Sequence, residues 1–322
     1  MSIINIVQLL GGFVLLLGGG EILVRGSVSL AKRLQISPFF ISATVIAFGT
    51  SVPELVISLK ASLNDAMGIV VGNVVGSNIA NLLLILGIAG LITPVLANKK
   101  VILRDNITLL SSTLILCIFI WLEEISRWQG GIMFFILILL LTYSYWSEKR
   151  HGKLAKGQAE NTVVDIAGAY SSFTSSMLIL CGLAGVAIGA HLLVESAIVV
   201  ARGIGMTEAV IGLTVVAVGS SLPELATAIV AAYRKHADVA LGNVIGSSLF
   251  NILGILGLVA IVNPITVPSE IAEFDVWVLL VATSIIFLLV LTGTRIYRFI
   301  GGLFLVSYVI FVVLQYLGFI KP

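Results

Sequence analysis

Two glutamates stand in stretches otherwise apolar enough to sit in lipid: Glu54 within "AFGTSVPELVIS" (47–58) and Glu224 within "AVGSSLPELATA" (217–228), 170 positions later. An ionisable side chain at the bilayer centre costs roughly 3 kcal/mol on insertion scales, so it points to function. A proline precedes each one. Pro53 and Pro223 lack an N–H and crowd the carbonyl one turn earlier, and Gly49 and Gly219 loosen that turn. Carbonyls around 47–50 and 217–220 are therefore expected to leave the helical ladder. A carbonyl freed at membrane depth needs a ligand, and a cation supplies one.

Helical spacing adds to the cage. Thr50 and Ser51 stand four and three residues before Glu54, so hydroxyl and carboxylate share a face. Asn73, Ser77 and Asn81 follow at four-residue steps, and Asn243, Ser247 and Asn251 repeat them. All these ligands are hard oxygens. Without His or Cys the set disfavours zinc, copper and iron and favours sodium, calcium, magnesium or manganese. Two bidentate carboxylates plus carbonyls reach the roughly six to eight oxygens that calcium takes, whereas magnesium keeps more of its water. Gly72, Gly76, Gly242 and Gly246 also suit close helix packing. Glu21 with Arg25, and His191 with Glu195, read as satisfied pairs or snorkelling ends, and Glu123, Glu124 and Asp238 as solvated loop charges.

The elements that must position this cage are membrane helices. Of the 322 residues, 59% are hydrophobic and 11% charged, and the mean hydropathy is +1.15. Apolar runs near the ~20 residues that cross a hydrocarbon core fall at 3–22, 37–62, 68–93, 105–122, 129–147, 172–194, 206–232, 239–262, 272–291 and 300–318. They are too long for barrel strands. Met1–Leu17 has no basic stretch before its apolar run and reads as a retained span. Cys117 and Cys181 lie inside spans and read as small buried hydrophobes. Fourteen of the 18 Lys and Arg fall on the face reached after the first span, which makes that face cytoplasmic and both termini extracytoplasmic. The longest loop is polar and is read as a cytoplasmic linker, 148–165, between a first half, 1–147, and a second, 166–322.

The halves repeat. Residues 41–94 align with 211–264 without a gap, with 21 of 54 positions identical, among them Gly49/Gly219, Pro53/Pro223, Glu54/Glu224, Asn73/Asn243, Ser77/Ser247 and Asn81/Asn251. Five spans per half is an odd number, so the second half enters from the opposite side. The expected fold is an all-α polytopic membrane protein of ten transmembrane helices in two inverted-topology five-helix repeats, the signature of secondary transporters. A proton-coupled divalent cation antiporter using the same glutamates as proton carriers, or one involving K+, is the nearest alternative. A cation channel does not need an inverted repeat, and an intramembrane hydrolase lacks a recognisable catalytic motif.

"GTSVPE" with "GNVVGSNIAN", and "GSSLPE" with "GNVIGSSLFN", resemble the two alpha-repeats of the calcium/cation antiporter superfamily, in particular its prokaryotic sodium/calcium exchanger type. The resemblance covers essentially the whole chain. It implies a core of helices 2, 3, 7 and 8 against which helices 1 and 6 slide, exchanging Na+ for Ca2+ by alternating access. It implies Glu54 and Glu224 as Ca2+ ligands with the carbonyls of Thr50 and Ser220. Ser51, Ser77, Ser221 and Ser247, with the carbonyls of Ala47 and Ala217, would form flanking Na+ sites, and Asn81 and Asn251 would line the centre. Exchangers of this family often carry an aspartate at one central position; here both are Asn, which limits the cage to two negative charges. "GNVVG" also lacks the extra glutamate of the proton-coupled branch. The implied protein is not an enzyme. It needs no cofactor, nucleic acid or obligatory protein partner, takes Ca2+ and Na+ as substrates, and sits in the cell (plasma or inner) membrane.

Overall fold

Long runs of Leu, Ile, Val and Phe leave the backbone in lipid only its own carbonyls to bond, and the chain answers with helices. The structure, a computed structural model, describes residues 3–95, 99–151, 170–203, 217–267 and 271–316. The helices are α1 (Ile3–Leu34), α2 (Pro38–Thr50), α3 (Val52–Leu63), α4 (Met67–Ile92), α5 (Lys99–Trp121) and α6 (Arg127–His151), then α7 (Ser172–Gly203), α8 (Ala217–Ser220), α9 (Leu222–Tyr233), α10 (Ala237–Val262), α11 (Ile271–Thr292) and α12 (Arg298–Tyr316). Two short strands, β1 (Glu124–Ile125) and β2 (Ile265–Thr266), pair antiparallel and tie one loop of each half together.

Among the described residues eight helices are long and apolar enough to cross a membrane, and a ninth span results if α2 and α3, bent by 41°, count as one. The expected span 206–232 lies partly outside the described residues; its described part is α8 and α9. Helix α6 runs through Glu148 to His151, into the first residues of the expected linker 148–165, and the rest of it, 152–165, lies outside the described residues.

The helices α1 and α7 overrun the expected spans 3–22 and 172–194, ending at Leu34 and Gly203. Charge suggested an end where the helix only changes company: Glu21 and Arg25 pair one turn apart within α1, and His191 and Glu195 do so within α7. The two helices lie antiparallel along their length. A Cβ on Gly12 would stand 3.0 Å from the Gly189 carbonyl oxygen, on Gly19 2.7 Å from the Val186 nitrogen, and on Gly26 2.9 Å from Leu178 Cβ. Backbone meets backbone at three points one heptad apart, so α1 and α7 form one paired unit.

The centre belongs to α4 and α10. In their most apolar windows 72% and 83% of residues are buried, against 17–33% in the other candidate spans, which face lipid. Outer helices clasp the centre crosswise: a Cβ on Gly130 of α6 would stand 2.7 Å from the Gly257 carbonyl oxygen of α10, and one on Gly301 of α12 2.6 Å from that of Gly87 of α4. Gly87 and Gly257 are repeat partners. Each half thus supplies the brace for the other half's central helix. Gly242 and Gly246 of α10 are packing glycines too, since a Cβ there would fall 2.6 Å from the Phe39 carbonyl oxygen and 2.3 Å from that of Ala43, both on α2.

Candidate ion-binding site

The site begins at the break between α2 and α3. Ser51 (φ −86°, ψ 4°) leaves the helical conformation, and Ser221 (φ −90°, ψ 6°) does the same between α8 and α9. Pro53 and Pro223 fall in the first turn of the new helix, where a missing N–H costs nothing because that donor has no partner in any helix. Glu54 and Glu224 share this first turn, at the positive end of the helix dipole. The ladder reaches further than proline alone predicts. The carbonyl of Ala47, read as freed, still accepts the Ser51 N–H at 3.1 Å, and that of Val218 accepts the Ser221 N–H at 3.2 Å. Gly49 and Gly219, four residues before each proline, lose their usual donor. Both also press against α7: a Cβ would lie 2.6 Å from the Leu183 methyls and 2.4 Å from a Val194 methyl.

Three contacts cross between the halves at this depth. Ser51 Oγ donates to Glu224 Oε1 at 3.2 Å, Thr50 Oγ1 to Asn243 Oδ1 at 3.4 Å, and Ser247 Oγ to the Ala47 carbonyl at 3.5 Å. The breaks are held from behind by α4 and α10. Asn73 Nδ2 donates to the Glu54 carbonyl at 3.2 Å and to Ser58 Oγ at 3.0 Å, and Asn243 Nδ2 to the Glu224 carbonyl at 3.5 Å. Asn73 and Asn243 were grouped by spacing with the ligating face. Their amides instead brace the backbone of the two acidic turns.

Asn81 and Asn251 stand on backbone that is not regular α-helix. Each sits in a π-helical stretch, Ala80–Ile85 and Phe250–Ile255, where the extra residue per turn re-aims side chains and relaxes the backbone ladder. A third such stretch, Ser42–Ile46, precedes the first break.

Nearly all the candidate ligands are buried: Glu54, Glu224, Asn81, Asn251 and Thr50 are each 1% exposed, and Ser51, Ser77, Ser221 and Ser247 no more than 4%. Ser220 is half-buried, and the side chain of Ala217 lies outside the described residues. Glu54 Oε2, Glu224 Oε2, Ser221 Oγ and both amide atoms of Asn81 and Asn251 have no hydrogen-bond partner among the described residues. A buried polar atom without a partner costs about 1–3 kcal/mol, and more when charged. Two carboxylates and a shell of neutral oxygens fit one divalent or two monovalent cations, whose ligation removes that cost. Asn78, Ser248 and Asn106 are also buried without partners, outside this ligand set. A cavity of about 730 Å³ beside the first break, walled by Phe48, Leu183 and Phe250 with Asp105 and Thr108 among its few polar residues, holds neither glutamate and is not the ion site.

The chain matches the family model described as sodium/calcium exchanger protein over residues 4–146 and 174–317. It is 33% identical to the sodium/calcium exchanger MaX1 of Methanosarcina acetivorans, covering 98% of this chain and 99% of that one. It is also 33% identical to the putative antiporter CaxA of Alkalimonas amylolytica, over 86% and 87%. The solved structure of the sodium-calcium exchanger NCX_Mj soaked with Na+ and Ca2+ superposes with a TM-score of 0.84 at 31% identity, covering 97% of this chain and 99% of that one.

Proposed function

The chain belongs to the sodium/calcium exchanger protein family, and from that premise we infer that it is a secondary active antiporter exchanging Na+ for Ca2+ across the membrane by alternating access. The observation that carries this reading is the meeting of the two broken helices, where Ser51 reaches Glu224 among buried oxygens that have no protein partner. Glu54 and Glu224, with the carbonyls of Thr50 and Ser220, hold Ca2+. Ser51, Ser77, Ser221 and Ser247, with the carbonyls of Ala47 and Ala217, flank it with Na+ positions, and Asn81 and Asn251 line the middle. Both ions draw on the same two carboxylates, so each is excluded while the other is bound. That competition is what couples the two fluxes.

The architecture that serves this exchange is ten helices in two inverted five-helix repeats, residues 1–147 and 166–322, joined by a cytoplasmic linker at 148–165, with both termini extracytoplasmic. The paired α1 and α7 move as a unit past the centre and uncover the site to each face in turn. The Gly12, Gly19 and Gly26 contacts support this, because they bring the two backbones directly against each other along their length. Purified protein in liposomes, given radiolabelled Ca2+ outside and an imposed Na+, K+ or H+ gradient, tests the assignment. Uptake driven by Na+ alone is the expected result, and uptake driven by H+ in the absence of Na+ would replace it with the proton-coupled reading.

A further inference from the structure

Glu21 of α1 has two partners. Arg25, one turn on, donates to Oε1, and Arg234, immediately after α9, sets its guanidinium across both carboxylate oxygens, with Nε 3.0 Å from Oε2 and Nη2 on Oε1. The first contact lies within the α1–α7 unit. The second joins that unit to the centre, and its paired geometry is the strong form of a guanidinium–carboxylate contact.

The repeat supplies an internal control. The positions matching Glu21, Arg25 and Arg234 in the other half are His191, Glu195 and Asn64. Among the described residues no equivalent tie forms there: His191 and Glu195 meet each other at 3.3 Å with side chains 69% and 56% exposed, while the Asn64 amide bonds the Lys60 carbonyl of its own helix. The surfaces beneath differ in the same sense. Ala226 and Val230 of α9 lie under α1, where a Cβ on Gly20 would stand 3.3 Å from Val230 Cγ2 and 3.5 Å from the Ala226 carbonyl oxygen. Ala226 is 1% exposed and Val230 8%, whereas their counterparts on α3, Val56 and Lys60, are exposed, Val56 by 44%. The α9 surface is thus covered by α1, where the matching residues of α3 are exposed.

We propose that Glu21 and Arg234 are a gating pair that holds the ion site closed toward the Arg234 face, and that this contact must break before the site opens there. It presupposes the antiporter assigned above. The pair acts on access, not on the ion: neither residue belongs to the ligand set. A substitution that removes it leaves the cage intact and shifts the balance toward the state open at the Arg234 face.

The test uses the full chain in liposomes with Cys117→Ser and Cys181→Ser, reading the labelling rate of Val230→Cys by a membrane-impermeant maleimide applied to the Arg234 face. With the pair intact the label reacts slowly. Arg234→Ala and Glu21→Gln each raise the rate about fivefold. Exchanging the charges, Glu21→Arg with Arg234→Glu, keeps one carboxylate and two guanidinium groups together and restores slow labelling. Unchanged rates in both single variants overturn the gate. So does a charge-exchanged protein that labels as fast as they do, because the effect would then be loss of packing. Failure of the antiporter reading is separately visible, as absence of Na+-driven Ca2+ uptake by the unsubstituted protein.

Discussion

Ser51 and Glu224, 173 residues apart in the chain, meet across 3.2 Å with both side chains buried, so the hydroxyl at one helix break is bonded to the carboxylate just past the other. Among the described residues the reciprocal contact is missing, and Ser221 Oγ has no partner. The two halves, alike in sequence, are unlike in hydrogen bonding at the site itself.

That asymmetry separates the two serines. Ser221→Ala is expected to raise the Na+ concentration needed to compete with Ca2+, while Ca2+ affinity changes less than about twofold, because no existing bond is lost. Ser51→Ala releases Glu224 Oε1 and shifts both ions. Competition of Na+ against radiolabelled Ca2+ binding measures this, and identical behaviour of the two variants would refute it.

Glu54→Gln and Glu224→Gln are each expected to lower Ca2+ exchange by about 100-fold or more, since a divalent ion in a dry cage keeps one compensating charge of two. Flux assays on protein shown to be folded and inserted check this. Exchange within about twofold of normal in either variant would remove that glutamate from the site.

Gly246→Ala places a Cβ 2.3 Å from the backbone oxygen of Ala43, which cannot rotate away. Separation of α10 from α2 is expected, with a loss of about 1–3 kcal/mol or more. Gly302→Ala meets nothing within 4 Å and is expected to be neutral or to stabilise α12 by up to about 1 kcal/mol. Thermal unfolding in detergent compares them; equal melting would show that the α2–α10 contact yields.

The proposed topology puts the linker and Arg127 on opposite faces. Lys153→Cys is expected to react with an impermeant thiol reagent only from the cytoplasm, and Arg127→Cys only from outside. The reverse pattern would invert the topology and, with it, the face that Arg234 closes.

Much of this protein was legible in the residues themselves. Apolar runs near the length of a bilayer demand helices, because lipid offers the backbone no other partner. A recurring proline–glutamate pair in such runs marks where the helix breaks and where a cation is needed, because both costs, a lost N–H and a buried charge, are local to a few residues. What the linear chain could not decide is which residues meet across it. Asn73 and Asn243 stand at ligand-like spacing, yet they brace the carbonyls of Glu54 and Glu224. Asn81 and Asn251 sit in π-helical stretches that a fixed helical period does not represent. Arg234 read as one more surface cation, and only the folding of α9 against α1 brought it to Glu21. Periodicity and side-chain chemistry act between neighbours in sequence, so the sequence determined the helices and their breaks. Hydrogen bonds and ion pairs between helices depend on rotation, register and tilt, which follow from how glycine-lined surfaces close on each other, and those only the tertiary structure decided.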